Sequence, residues 1–263
     1  MVSNIKYDLK GPEGASEILL LHELGGSRSS WQWIDPYLEN NFRRIIVDLP
    51  GAGESPLVNS VMSLDDVARS LIDLLDDLKI ETINLAGVAY GAVVAAYLAA
   101  NFPERISSVM LIAIGPHISQ GVSDYVFNRA NQVEKEGMEA VVNYSLESSF
   151  PSSFRERFPE IVANYRNIFT SNNPYHYAVC SRAIARAGTI LTERIKSIRS
   201  RAVVIGGMLD PSFTPEVVGE VGQLLNPPVK PTIMEEAGHF PQIQASEKLA
   251  NYMIKFFNSR IYI

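Results

Sequence analysis

The chain has 263 residues, of which 46% are hydrophobic and 20% are charged, and its formal net charge at pH 7 is -6. This length suits one large α/β domain or one domain with an insertion, and the hydrophobic content allows a sizeable core. The acidic balance argues against nucleic acid as the main partner, because binding nucleic acid calls for a basic face. The longest apolar stretch, AVVAAYLAA, is about half the length that spans a bilayer, so we expect no membrane partner.

Cysteine usage and the N-terminus suggest a compartment. The single cysteine, Cys180, excludes an internal disulfide, and nothing in the sequence demands an oxidising environment. The N-terminal residues MVSNIKYDLKGPEG are polar and lack the apolar core of a signal peptide. We therefore expect a cytoplasmic globular protein.

Short apolar runs alternate with helical patterns over the first part of the chain. Buried strands are predicted at 17–22, 43–48, 82–87 and 106–114. Helices are predicted at 27–40, 63–80 and 91–102, with Ser63 as an N-cap. The alternation predicts an α/β fold with a mostly parallel central sheet and helices on both faces.

A helical insertion follows, because no convincing buried strand occurs between about Gly115 and Arg194. Four helical patterns fill this stretch, separated by the turn signals FPSS and SNNP. Alternation then resumes with strands at 201–207 and 230–236 and with helices from about Pro215 and over 245–257. We predict a core domain of residues 1–114 and 195–263, and a helical cap of residues 115–194 inserted between two strands. A cap in that position lies at a strand end, where open α/β sheets bind ligands.

The sequence GVAYG at 87–91 matches the nucleophile elbow G-x-S-x-G except at its centre, where Ala89 replaces serine. In that motif a sharp strand-to-helix turn holds the central residue in strained backbone geometry, and the flanking glycines allow other backbone to come close. The helix that follows supplies free N–H groups and positive potential.

At these residues the chain resembles the α/β-hydrolase fold family, and the resemblance covers nearly all of it. LLLHELGGS is similar to the family's H-G-x-G-G-S loop, with Glu23 in place of a glycine. DLPGAGES, GGMLDP and EEAGHFP are similar to its D-x-x-G-x-G-x-S turn, its acid-bearing segment and its histidine loop. The order of nucleophile position, Asp and His is the order that this fold uses.

The resemblance implies a role for each matching residue. Ala89 would occupy the nucleophile position, His239 would be the general base, and Asp210 would orient the imidazole and stabilise its charged form. The backbone N–H groups of Leu24 and Tyr90 would form the oxyanion hole. Glu23 departs from the family pattern, since a bulky acid there could crowd the loop or oppose the developing negative charge.

The remaining candidates have structural interpretations. We expect His22 to pack beneath the oxyanion loop, Asp48 to serve in a turn, and His117 and His176 to lie on the surface or in the cap. HELGG lacks the second histidine of a zinc motif, and GAGESP has a proline where a dinucleotide fingerprint needs its third glycine, so we expect no metal and no cofactor. The aromatic residues of the insertion should mostly form the core of the cap, with a few lining an acyl pocket: Tyr125, Phe127, Tyr144, Phe150, Tyr175 and Tyr177.

Three explanations compete for Ala89. The chain can be an engineered inactive variant of a serine enzyme, a natural pseudo-enzyme that binds a ligand, or an enzyme whose His-Asp pair deprotonates its substrate directly. We favour the first, because one substitution restores a complete elbow and because Asp210 and His239 make sense as a pair serving a hydroxyl. An aspartate nucleophile, as in dehalogenases and epoxide hydrolases, ranks lower.

The resemblance therefore implies a serine-type hydrolase that cleaves a carboxylic ester or lactone through an acyl-enzyme, similar to the esterase, enol-lactonase and carbon–carbon-bond hydrolase group. The chain with Ala89 should be impaired in that reaction. The alternative is a non-catalytic receptor for a small molecule. We expect a small-molecule ester or lactone as the partner and a monomer or homodimer as the assembly.

Overall fold

The structure, a computed structural model, describes residues 3–259. Its centre is a seven-stranded sheet in the order β1-β3-β2-β4-β5-β6-β7. The strands are β1 (Tyr7–Lys10), β2 (Ser16–Leu21), β3 (Phe42–Val47), β4 (Ile83–Val88), β5 (Ile106–Ile112), β6 (Arg201–Gly207) and β7 (Thr232–Met234). All neighbouring strands run parallel except β1, which pairs antiparallel with β3. The predicted α/β class and mostly parallel sheet are confirmed.

Twelve α-helices are assigned within the described residues. They are α1 (Asp35–Leu38), α2 (Leu64–Asp77), α3 (Tyr90–Asn101), α4 (Gln120–Glu136), α5 (Glu139–Ser149), α6 (Ser152–Arg157), α7 (Pro159–Thr170), α8 (Pro174–Ala185), α9 (Ile190–Lys196), α10 (Pro215–Leu224), α11 (Pro241–Gln244) and α12 (Ser246–Asn258). None of them is both long and apolar enough to cross a membrane.

The sheet is covered on both faces, so most residues of its central strands β2, β4, β5 and β6 are buried. In β2, Leu19 and Leu21 point into one hydrophobic cluster, while Ile18 and Leu20 point into the other. This is the period of two that a strand imposes. The first cluster also contains the apolar faces of α2 and α3, and the second contains α12 and much of the cap.

The predicted helix at 27–40 and one of the four helical patterns of the insertion are each broken in the structure. The helix predicted over 27–40 is a 3-10 turn at Arg28–Trp31, capped by Ser27, followed by the single turn of α1. Pro36 lies at the start of α1, where its missing N–H costs nothing but prevents a continuous helix. In the cap, Pro159 in the same way separates α6 from α7.

Helices α4 to α9 lie between β5 and β6, at the carboxyl ends of the strands. The last of them, α9, begins at Ile190 and packs against α3 and α10 of the core. The division at 114 and 195 into core and cap stays a prediction.

The six cap aromatics were expected mostly to form its core, with a few lining a pocket, and two of the six are buried. Phe150 and Tyr177 are buried. The other four are between 39% and 58% exposed, and they are Tyr125, Phe127, Tyr144 and Tyr175. Tyr125 and Tyr144 line a cavity beneath the cap, as expected for a few of these rings. The expectation is wrong for Phe127 and Tyr175, which are exposed without lining that cavity.

Candidate active site

Ala89 occupies the turn between β4 and α3 in a strained conformation, with φ 50° and ψ -109°. Side chains other than glycine rarely adopt this region, and holding one there costs about 1–3 kcal/mol. The turn is fixed by its hydrogen bonds, since the Ala89 N–H donates to the carbonyl of Ile112 at 2.8 Å. Val88 and Tyr90 are buried, whereas Ala89 is only half-buried and lines a cavity.

The two glycines of the elbow are needed for space. A Cβ on Gly87 would overlap the carbonyl of Gly91, and a Cβ on Gly91 would overlap the carbonyl of Leu21 at the end of β2. The first turn of α3 therefore lies directly against both its own strand and the neighbouring one. This close approach brings the N-terminus of α3, with its unsatisfied N–H groups, to the edge of the sheet where the loop after β2 begins.

Asp210 and His239 come together from the turns that follow β6 and β7. Nδ1 of His239 donates a hydrogen bond to Oδ2 of Asp210 at 2.8 Å, and the carboxylate is buried. Oδ1 of Asp210 accepts from the backbone N–H groups of Ser212 and Phe213 at 2.9 and 3.1 Å. Burial raises the pKa of the Asp210 carboxyl, but the nearby His239 and the donated hydrogen bonds outweigh it, so the pKa lies below its ordinary value.

The imidazole of His239 is held between aromatic rings and faces the same cavity as Ala89. Its ring stacks on Phe213 with centroids 5.4 Å apart and lies 5.0 Å from the ring of Phe240. Because Nδ1 is engaged by Asp210, Nε2 is the nitrogen left to meet a substrate or a nucleophile. Over residues 3–259, no side chain or backbone group makes a hydrogen bond to Nε2.

The loop carrying His239 is anchored by a residue that the sequence did not single out. Oε1 of Gln244 accepts from the N–H groups of Gly238 and Phe240 at 2.8 and 3.1 Å, while its Nε2 donates to the carbonyl of Ser149 at 2.9 Å. The same carbonyl accepts from the His239 N–H at 3.1 Å. The end of α5 in the cap therefore fixes the histidine loop, through contacts that no sequence motif signals.

The two residues expected at the oxyanion hole lie on adjoining elements. Leu24 lines the cavity in the loop after β2, and Tyr90 is the first residue of α3, so its N–H has no acceptor within the helix. His22 supports the loop as expected. Its Nε2 accepts from the Leu49 N–H at 2.9 Å, so Nδ1 carries the proton and donates to the Glu23 carbonyl at 2.7 Å.

Glu23 is accommodated without crowding the loop. Its carboxylate accepts from the Ser30 hydroxyl at 2.7 Å and from Nε2 of Gln242 at 3.3 Å, in space that exists because Gly26 has no side chain. Tyr165 of α7 also contacts it, and burial together with this carboxylate raises the pKa of the Tyr165 hydroxyl well above its ordinary value. Glu23 therefore remains a buried acid in the wall of the cavity.

The cavity has a volume of about 200 Å³ and lies between the strand ends and the cap. From the core, Glu23, Leu24, Ala89, Ser212, His239 and Phe240 line it, and from the cap, Tyr125, Arg129, Tyr144, Ser145, Ser148, Ser149, Tyr165, Phe169 and Tyr177 do so. The sequence predicted the core residues of the catalytic pattern but did not predict Arg129 or Tyr165, whose importance depends on how the cap folds over the core.

Other candidate residues lie outside this cavity. Asp48 holds the DLPGAGES turn by accepting from the backbone and guanidinium of Arg28 and from the Glu54 N–H. Cys180 is buried, and burial raises the pKa of its thiol to about 12, so it does not serve as an alternative nucleophile. Among the residues that the structure describes, no group of three or more His, Cys, Asp or Glu side chains is arranged to hold a metal ion.

Comparison with known proteins agrees with this geometry. A family model described as the alpha/beta hydrolase fold matches residues 18–246. The chain belongs to the α/β-hydrolase family.

Esterases and enol-lactonases of this family are among its relatives. The chain is 26% identical over 259 residues to 3-oxoadipate enol-lactonase 2 of Acinetobacter baylyi (strain ATCC 33305 / BD413 / ADP1), covering 97% of this chain and 94% of that protein. It is 27% identical over 261 residues to the pimeloyl-[acyl-carrier protein] methyl ester esterase of Legionella pneumophila (strain Paris), covering 96% of this chain and 99% of that protein. A crystal structure of the enol-lactonase from Burkholderia xenovorans LB400 matches with a TM-score of 0.90 at 26% identity, covering 97% of this chain and 96% of that one.

Proposed function

We propose that the site is that of a serine-type hydrolase for a carboxylic ester or lactone, in which the nucleophilic serine is replaced by Ala89. The observation that carries the proposal is the strained turn at Ala89 in a cavity shared with the His239–Asp210 pair. A strained alanine performs no chemistry there, so the strain makes sense as the geometry of an exposed hydroxyl. The esterase and enol-lactonase relatives support this class of reaction.

The reaction would proceed through an acyl-enzyme. A hydroxyl at position 89 would attack the carbonyl carbon while its proton moves to Nε2 of His239. The N–H groups of Leu24 and Tyr90 would stabilise the negative oxygen of the tetrahedral intermediate, and His239 would return the proton to the leaving oxygen. Water would then enter by the same steps, with Asp210 stabilising the charged imidazole throughout.

The test is hydrolysis of short and medium aryl esters and lactones by the Ala89→Ser variant beside the chain with Ala89. Because loss of a serine nucleophile costs on the order of a millionfold in turnover, we expect a gain of several orders of magnitude. The gain should disappear in the Ala89→Ser/His239→Ala double variant. Ala113→Ser is a matched control, since Ala113 is another alanine with positive φ (51°) but does not line the cavity.

A second candidate, a non-catalytic receptor for a small molecule, is favoured by the buried Glu23 in the same cavity. A second departure from the family pattern within one site fits natural divergence better than a single engineered change. A folded Ala89→Ser variant that hydrolyses none of the esters or lactones would favour this candidate over the first.

A further inference from the structure

The cap places a guanidinium without an acidic partner in the wall of the active-site cavity. Arg129 of α4 donates to the hydroxyls of Tyr125, at 3.2 Å, and of Ser145, both of which are neutral groups. Its Nε is buried with no hydrogen-bond partner, and within residues 3–259 its guanidinium forms no ion pair with a carboxylate. A charge that is partly withdrawn from water without a counter-charge is costly, so we expect such a group to have an anionic partner when the protein works.

Two other arginines of the cap are paired with acidic side chains. Arg166 of α7 forms an ion pair with Glu139, and Arg182 of α8 forms one with Glu134. Arg129 instead lies close to the faces of Phe169 and Tyr177, with its central carbon 5.8 Å from each ring centroid. The aromatic rings hold the guanidinium in place, but they supply no negative charge.

The cavity has the carboxylate of Glu23 on its core side and the guanidinium of Arg129 on its cap side. Glu23 lies in the loop after β2, where Ser30 and Gln242 donate hydrogen bonds to its carboxylate. Tyr165 lies between the two charged groups, since, in addition to burial, the charge of Glu23 raises the pKa of its hydroxyl and the charge of Arg129 lowers it. A ligand with one negative end would therefore be repelled near Glu23 and attracted to Arg129. Such an orientation leaves its uncharged end beside Ala89 and His239.

Arg129 also lies where the cavity meets the surface. A second hollow of about 310 Å³ on the cap shares Tyr125, Arg129 and Tyr144 with the cavity. The rings of Tyr125 and Tyr144 are 5.7 Å apart, and both are exposed. An anionic group entering through this hollow would meet the guanidinium before its other end reaches the sheet.

We infer that Arg129, with the hydroxyls of Tyr125 and Ser145, forms a subsite for a carboxylate, so that the substrate is an ester or lactone that also carries a free carboxylate group. This inference rests on the proposed function for the reacting end of the substrate, but the binding of the charged end does not depend on it. A carboxylate suits the subsite because its two oxygens can accept from a guanidinium and from neighbouring hydroxyls together.

Binding is measured first on the chain with Ala89, which should not consume the ligand. We expect calorimetry to detect binding of monomethyl glutarate but little binding of dimethyl glutarate, in which a second methyl ester replaces the carboxylate. Arg129→Gln should weaken binding of the monoester on the order of 10- to 100-fold, the usual effect of losing a charged hydrogen bond. Arg129→Lys should keep most of the charge preference, and Arg166→Gln, which alters a paired cap arginine outside the cavity, should change nothing.

Turnover is then compared in the Ala89→Ser background with the same two esters. We expect kcat/KM to favour the monoester, and Arg129→Gln to lower kcat/KM for the monoester much more than for the neutral ester, so that the preference is lost. Loss of the preference with little loss of neutral-ester hydrolysis distinguishes a binding role from general damage to the fold. If Arg129→Gln does not fold, the preference for the monoester over the neutral ester is measured instead in the Arg129→Lys and Ser145→Ala variants.

The outcomes separate this inference from the proposed function. Hydrolysis of neutral esters with no preference for the charged one, and no difference on changing Arg129, would overturn the subsite alone. Arg129-dependent binding of the monoester without any hydrolysis by Ala89→Ser would support the subsite and overturn the acyl-enzyme. Inorganic phosphate that binds more tightly than the monoester would overturn the assignment to a carboxylate in favour of a phosphorylated ligand.

Discussion

At the scale of single residues, the pair His239–Asp210 defines what the site can do. Asp210 holds one tautomer of the imidazole by accepting from Nδ1 at 2.8 Å, which directs Nε2 to the cavity. The backbone N–H groups of Ser212 and Phe213 hold the carboxylate itself in place. This arrangement supports the proposal that His239 moves a proton to and from a group beside position 89.

Asp210→Asn in the Ala89→Ser background is predicted to lower turnover on the order of 10⁴-fold, because an amide can donate to Nδ1 and favour the wrong tautomer. The measurement is kcat with an aryl ester, compared with Asp73→Asn, an exposed aspartate on α2. Turnover reduced no more by Asp210→Asn than by Asp73→Asn would contradict the assigned role.

The same carboxylate should affect stability in acid. Because the pKa of Asp210 is lowered in the folded state, its stabilising contribution is complete above the unfolded value of about 3.9 and is lost as pH falls through the folded value. Urea unfolding at a series of pH values should therefore show a smaller loss of stability below about pH 4 for Asp210→Asn than for the parent chain. An identical pH dependence would contradict this.

At the scale of secondary-structure elements, the site depends on how closely α3 approaches the sheet. Gly87 and Gly91 allow backbone to contact backbone at the elbow, so the helix N-terminus lies against the ends of β2 and β4. This packing explains why a strained residue is tolerated at position 89, since the surrounding strands leave the turn no relaxed alternative.

Gly91→Ala is predicted to destabilise the protein by about 1–3 kcal/mol or more, because its methyl group would overlap the carbonyl of Leu21, which is backbone and cannot rotate away. The matched control is Gly121→Ala in α4, where an added Cβ meets no atom within 4 Å, and there stability should stay equal or rise slightly. Denaturant unfolding of both variants makes the comparison. Equal stabilities for the two would show that the elbow is looser than its geometry implies.

Strongly patterned elements were predictable from the sequence. The buried strands β2 to β6 follow from apolar runs bounded by turn residues, and α2 follows from its period and its Ser63 cap. Strand β1 was missed because YDLK is short and largely exposed, so it carries no apolar run, and it forms only by pairing with β3. The prediction of one helix over 27–40 was wrong, because the apolar spacing continues across Pro36 although the helix itself does not.

At the scale of the whole molecule, the cap completes the cavity and is tied to the core by a few polar contacts. Asn172, in the turn between α7 and α8, is buried, donates to the carbonyl of Gly25 at 2.9 Å and accepts from the N–H of Gly53 at 3.3 Å. One cap side chain therefore joins the loop after β2 to the DLPGAGES loop. Such contacts, like the position of Arg129, depend on the packing of distant segments, and no local pattern in the sequence signals them.

Asn172→Ala is predicted to cost about 1–3 kcal/mol, because it leaves the buried carbonyl of Gly25 without its donor. Hydrogen exchange should quicken mainly in α7 and α8 rather than in the central strands. Ser171→Ala is the control, since the hydroxyl of this exposed neighbour bonds only within its own turn, to the Ile168 carbonyl. Unchanged exchange in α7 and α8 would mean that Asn172 does not hold the cap.

The most direct test of the central claim is covalent labelling of position 89 by a fluorophosphonate, followed by intact-protein mass spectrometry. The account predicts one adduct on the Ala89→Ser variant, located to that position, and none on the chain with Ala89, on Ala113→Ser or on the Ala89→Ser/His239→Ala double variant. Folded Ala89→Ser protein that forms no adduct, or that reacts equally well without His239, would contradict the claim that this elbow and this histidine form the site of a serine hydrolase.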